Sequence, residues 1–129
     1  LSSPWKAFYS NVKCIDGLVC PERYYQVQYW FPNQYFSSVF FFLAAEVERF
    51  GNIPMQFSAK TIPAMKYLRF YHHGFSNRVG LTYEYIYNTY LPETEYKLPY
   101  LFNFEYYPPD HKGPYNEDSV SEIYIPVSL

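Results

Sequence analysis

The chain is poor in the groups that would commit it to nucleic acid, metal or membrane chemistry. Ten Lys and Arg stand against twelve Asp and Glu, a formal net charge of −2, and no basic cluster occurs. A phosphate-tracking surface is therefore not expected, and nucleic acid is a poor partner for these residues. Nor is there a helix-turn-helix pattern. The only cysteines, Cys14 and Cys20, lack the close pairs or histidine spacing of a zinc site, so free buried thiols are expected. His72-His73 would point to opposite faces of a strand, and His111 lies far along the chain, which argues against a metal. No G-x-S-x-G elbow or other nucleophile signature occurs, so no catalytic residue and no cofactor is assigned. The longest nearly uncharged apolar run, Val39 to Ala45, is far shorter than the roughly 20 residues that cross a bilayer. With no charged n-region followed by an apolar stretch at its start, the domain is expected to be soluble and cytoplasmic, without membrane contact.

What is present in excess is aromatic. Seventeen Tyr and twelve Phe raise the aromatic share to 24 % of 129 residues, a length typical of one domain spanning 1–129. Such rings offer flat apolar faces, many with a hydroxyl at the rim, and suit flat organic molecules. Glu105 stands alone inside Leu101-Phe102-Asn103-Phe104-Glu105-Tyr106-Tyr107. Burying an unpaired carboxylate costs several kcal/mol, roughly, so this acid needs an internal cation, a proton, or a ligand that brings the positive charge. An exposed strand position, or a pairing with Arg69 or Lys66, is the plainer alternative.

Ser3-Pro4 reads as an N-cap and first helical position, followed by Trp5, Phe8, Tyr9, Val12 and Ile15 at helical spacing, and Asp16-Gly17 closes that helix. Arg23 to Phe31 alternates as a strand, Pro32-Asn33-Gln34 turns the chain, and Val39 to Val47 is expected to pair back with it as a strand despite its continuous apolar run. That hairpin should leave the Gln26/Gln28 side wetter than the Val27 side. Met65 to His73 is a third strand, Asn77 to Tyr90 a helix with Val79, Tyr83, Ile86, Tyr87 and Tyr90 on one stripe, and Phe102 to Tyr107 and Glu122 to Val127 two further strands. Helix followed by two strands thus occurs twice, with a strand leading only into the second copy. By symmetry a strand should precede the first helix, and with Leu1 rather than methionine at position 1 an absent N-terminal segment is expected.

Four strings then resemble one family. Ile62-Pro63-Ala64-Met65-Lys66-Tyr67, continuing through Phe70 to Gly74, is similar to the "iPa-x-x-Y-x-x-F-x-h-x-G" strand of the GyrI-like effector-binding domain. That domain forms the C-terminus of AraC- and MerR-type multidrug regulators and also stands alone. Tyr87 to Tyr96 resembles its "y-x-x-W-L-P-x-S-G-y" with Tyr90 for the tryptophan, Phe104-Glu105-Tyr106-Tyr107 its "f-E-x-Y", and Ile123 to Val127 its "i-Y-i-P-v". Weaker likenesses at Trp5-Lys6-Ala7-Phe8, Tyr25-Gln26-Val27 and Phe42 to Val47 extend the resemblance over nearly the whole chain.

The resemblance implies an α+β fold of two pseudo-symmetric βαββ units with a ligand pocket between them, the first strand being absent here. It also implies a pocket glutamate that receives lipophilic cations, and Glu105 is the matching residue. Strand parity and the helical stripe then place Trp5, Tyr25, Phe41, Tyr67, Tyr83 and Tyr107 around it as the ligand-binding set. The expected function is a small-molecule effector-binding module for hydrophobic, cationic compounds, as the sensor part of a transcription regulator or free-standing. A binder is expected rather than an enzyme. The alternatives are a hydrolase of cyclopropane-bearing alkylating compounds, with Glu105 as general base, and a gyrase-inhibitor-type protein-binding domain. A homodimer stays open among the partners.

Overall fold

The computed structural model describes residues 3–32 and 39–129. The expected turn at Pro32-Asn33-Gln34 lies partly outside the described residues, and so does the expected capping by the Ser3 side chain. Element order is helix, strand, strand, strand, helix, strand, strand: α1 (Ser3–Asn11), β1 (Tyr24–Tyr29), β2 (Phe40–Ala45), β3 (Tyr67–His73), α2 (Val79–Tyr85), β4 (Phe102–Tyr107) and β5 (Val120–Pro126). The five strands form one antiparallel sheet in the order β2-β1-β4-β5-β3. Among the described residues no helix is long and apolar enough to cross a membrane.

The run Phe40 to Ala45 is a strand, as the preceding turn signal predicts, and pairs antiparallel with β1 in the register Val27↔Phe42 and Gln26↔Leu43. Val27 is buried, whereas Gln26 and Gln28 are half-buried. Across the sheet, Gln26 pairs with Glu105, Glu105 with Ile123, and Ile123 with Phe70. Because strand side chains alternate, these residues share one face, and Val27, Phe104, Tyr124 and Arg69 share the other.

Helix α1 ends earlier than its apolar spacing predicts: Val12–Cys14 is a 3-10 turn, Ile15 is extended, and Gly17 turns the chain with φ +79. Cys14 and Cys20 are free but exposed, not buried, because both fall in this winding connection. The second helical stretch is also less regular than a single α-helix over Asn77 to Tyr90. It opens with a 3-10 turn at Ser76–Arg78, passes through α2, widens to a π-turn at Ile86–Tyr90 and closes with a 3-10 turn at Leu91–Glu93, carrying the helical path past Leu91-Pro92. Pro is tolerated there because the first turn of a helix does not use its missing N–H.

The sheet's helix-bearing face is divided by chemistry. Under α2 the strands present Leu68, Phe70, Ile123 and Ile125, which close with Ile86, Leu91 and Val127 into an aliphatic core; Ile86 and Ile123 are 0 % exposed. Toward α1 the same face carries Tyr24, Gln26, Gln28, Asn103, Glu105 and Tyr107, side chains that cannot form such a core. On the opposite face Phe104 stacks on Tyr124 at 4.8 Å, with Tyr67 edge-on to both. The connection over 46–66 leads from the β2 edge to the β3 edge, and there Lys60 Nζ lies 5.5 Å from the Phe42 ring centre.

Gly74 ends β3 with φ +104 and donates its N–H to the Ser119 carbonyl at 2.8 Å. A Cβ there would meet only the Glu117 carbonyl oxygen, 3.8 Å away, so the cost of Gly74→Ala is backbone strain alone. It should lower stability by about 1 kcal/mol, read as a lower urea midpoint with unchanged slope.

Candidate functional site

Glu105 occupies the middle of β4 and is 4 % exposed. The Tyr83 hydroxyl donates to its Oε2 at 2.7 Å and the Tyr107 hydroxyl to its Oε1 at 2.8 Å. Gln28 Nε2 approaches Oε2 at 3.3 Å while also facing the Tyr83 hydroxyl oxygen at 2.9 Å and Asn103 Oδ1 at 3.2 Å; Asn103 Nδ2 in turn donates to the Tyr87 hydroxyl at 2.9 Å. Each strand contributes through its polar alternation, Gln26-x-Gln28 in β1 and Asn103-x-Glu105 in β4. Tyr83 and Tyr87 reach the same spot because they stand four apart on the second helical stretch, with rings stacked 6.5 Å apart.

No basic side chain among the described residues forms an ion pair with Glu105. Arg69 is on the other face, 3.9 Å from Glu122, and Lys66 lies over the Tyr96 ring, so neither of the plainer pairings considered for Glu105 is realised. His72 shares the face, but its Nε2 faces the Phe75 carbonyl at 2.8 Å and its Nδ1 the Thr82 hydroxyl at 2.7 Å. A neutral ring satisfies both contacts, with the Thr82 hydroxyl as donor. Burial raises the Glu105 pKa, and the Tyr83 and Tyr107 hydrogen bonds only partly offset that rise. The two tyrosines respond in kind: burial, then the adjacent Glu105 charge, pushes both phenols far above their ordinary range, so both stay protonated and donate to the carboxylate.

Glu105 lines a cavity of about 570 Å³. Trp5 and Tyr9 of α1 form one wall, Tyr24 and Gln26 of β1 the floor beside Glu105, and His111 and Tyr115 of the 108–115 loop the far side. Trp5 stands edge-on to Tyr107 at 5.5 Å, and His111 packs on the same ring at 5.3 Å. Burial lowers the His111 pKa ahead of the opposing pull of Asp110, and its Nδ1 accepts the Gly113 N–H at 3.1 Å, so it adds no positive charge at neutral pH. The result is a ring-walled cavity with Glu105 at its floor and a second acid, Glu22, in its lining, which Lys13 pairs at 3.8 Å. Its volume suits a drug-sized organic molecule.

Of the seven residues the sequence places here, the structure brings together Glu105, Trp5, Tyr83 and Tyr107. Tyr83 holds the carboxylate from behind and does not itself line the cavity. Tyr25 and Tyr67 stand on the opposite face: the Tyr25 hydroxyl donates to Glu46 Oε1 at 2.5 Å and the Tyr67 hydroxyl to the Pro63 carbonyl at 2.7 Å. Phe41 is 54 % exposed on β2 and borders a second, larger cavity of about 1260 Å³ that does not include Glu105. Tyr9, Tyr24, Gln26, Gln28, Asn103 and His111 were absent from the sequence-based set. The polar alternation in β1 and β4 was the signal that could have found three of them, since two glutamines and an asparagine spaced by two share a face with whatever acid they solvate.

Two comparisons bear on this arrangement. Residues 1–127 match the family model described as Cass2, integron-associated effector binding protein. Over 123 residues, 95 % of this chain, the sequence is 29 % identical to transcriptional regulator BrlR of Pseudomonas aeruginosa; the match covers 44 % of that regulator, so this chain spans less than half of its length. With the family model spanning nearly every residue, the chain belongs to the family of integron-associated effector-binding proteins, which is of the GyrI-like kind its motifs resemble.

Proposed function

We propose that this effector-binding chain takes a lipophilic organic cation into the cavity between α1 and α2, with the ligand's positive charge against Glu105. The observation that carries this reading is the buried carboxylate itself: it has hydrogen-bond donors but no ion-pair partner among the described residues, and it opens onto aromatic walls. A cation there gains about 0.5–2 kcal/mol per well-placed ring in addition to its attraction to the carboxylate. The twofold recurrence of helix, strand, strand, joined through β1 and β4, supports two pseudo-symmetric βαββ units with the cavity at their junction. The similarity to a transcriptional regulator supports a cytoplasmic sensor role for the module.

Two ligands of nearly equal shape test it. 2-Naphthyltrimethylammonium and 2-tert-butylnaphthalene differ by a quaternary nitrogen in place of carbon, so they fill the cavity with the same shape and differ only in charge. The chain should bind the cation about fivefold or more tightly by calorimetric titration, the margin being limited by the cation's own lost hydration. Tyr25→Phe, on the other face, should leave both affinities unchanged. Equal affinity for the two ligands would remove the cationic reading.

A further inference from the structure

Alternation along one stretch of chain lays out the floor of the Glu105 cavity. Glu22, Tyr24 and Gln26 line it, whereas Arg23, Tyr25 and Val27 line the cavity on the other face, so the chain already runs extended from Glu22 into β1. Gln26 pairs with Glu105 and Tyr24 with Tyr107, which puts Glu22 beyond Tyr107, about 13 Å along the strand from the floor acid. Rings stand between the two acids: Tyr24 meets Tyr9 edge-on at 5.0 Å and Trp5 at 6.5 Å, and Trp5 meets Tyr107 at 5.5 Å.

The cavity lining thus holds two carboxylates and neither lysine nor arginine. The ammonium that does reach Glu22 comes from outside the cavity. Lys13 is 84 % exposed and its Nζ lies 3.8 Å from the carboxylate, a pair that water and salt screen. Glu22 itself is half-buried and acts on the cavity, since burial and then the Glu22 charge raise the pKa of the Tyr24 phenol.

We infer that Glu22 is a second cation subsite, so that the cavity takes a dication whose two charges are separated by an apolar spacer. This deepens the cationic reading of Glu105 and rests on it. One charge sits against Glu105, the spacer lies along Tyr24, Trp5 and Tyr9, and the second charge displaces the Lys13 ammonium from Glu22. A monocation of the same length leaves Glu22 to Lys13 and gains nothing there.

The probes are decane-1,10-bis(trimethylammonium) and its monocation isostere (11,11-dimethyldodecyl)trimethylammonium, titrated calorimetrically at about 150 mM salt, where the screening length is about 8 Å. Glu22→Gln should weaken the dication about fivefold and the monocation by less than about twofold. Lys13→Gln, which removes the competing ammonium, should strengthen the dication about twofold. Ethane-1,2-bis(trimethylammonium) is too short to bridge the two acids and should lose no more to Glu22→Gln than the monocation does. Glu105→Gln should weaken both long ligands, which separates the two readings. Equal losses for the long dication and the monocation at Glu22→Gln, or the same loss for the short dication, would overturn the second subsite while leaving Glu105 in its role. No loss from Glu105→Gln for either long ligand would remove the reading on which the subsite rests.

Discussion

Glu105→Gln should weaken binding of a lipophilic cation by about 1–3 kcal/mol, roughly 5- to 150-fold, and leave its neutral isostere nearly unaffected. Glutamine keeps the shape and can still accept from Tyr83 or Tyr107 through its carbonyl, so the aromatic contacts persist. Only the charge is removed. The loss should therefore appear in the cation's affinity alone, and fluorescence titration of both ligands against both proteins gives the double comparison. Matching losses for the two ligands would assign Glu105 a structural role.

Tyr107→Phe should carry the second large effect, on stability. The hydroxyl it removes is one of two tyrosine donors to a carboxylate that is 4 % exposed, and leaving a buried charged acceptor short of a partner costs about 1–3 kcal/mol. The pH dependence has a definite sign. Burial already raises the Glu105 pKa in the folded protein, so the folded state holds its proton more tightly than the unfolded one. Stability from this group is thus fully present below the unfolded value and is lost as pH rises through the raised folded value. Tyr107→Phe removes a hydrogen bond that lowers that pKa, so the variant should lose more stability at neutral pH than in mild acid. Urea unfolding at both pH values measures this; a loss independent of pH would mean that the hydroxyl supports packing and not the ionised carboxylate.

Much of this was legible in the sequence where a local signal sufficed. Element order followed from periodicity and turn residues, and even the apolar Phe40 to Ala45 run was readable as a strand because the turn-forming residue types Pro32-Asn33-Gln34 precede it in the sequence and Phe50-Gly51-Asn52-Ile53-Pro54 follows as a stop signal. Glu105 was conspicuous as a lone acid among rings. What local signals did not contain was register. Whether Tyr25 or Gln26 faces Glu105 depends on which residue of β1 lies opposite it in β4, and a shift of one residue exchanges the faces. Tyr25 and Tyr67 were misplaced for that reason. Phe41 was misplaced for another: it shares its face with Gln28 but sits on the outermost strand, beyond the reach of the cavity. The π-turn at Ile86–Tyr90 was hidden too, since the apolar stripe keeps its spacing closely enough to read as one α-helix.

In the proposed function Glu105 is a buried acid whose charge the ligand completes. The most direct test is the Glu105 side-chain carboxyl carbon followed by NMR through a pH titration, with Glu105→Gln assigning the signal. Without ligand the midpoint should lie above the ordinary glutamate range, because burial outweighs the two tyrosine hydrogen bonds. Saturation with 2-naphthyltrimethylammonium should move it down, and the cation's affinity should fall as pH drops through the free protein's midpoint. A midpoint that 2-naphthyltrimethylammonium leaves in place while binding would show that the cation does not meet this carboxylate, and would contradict the account.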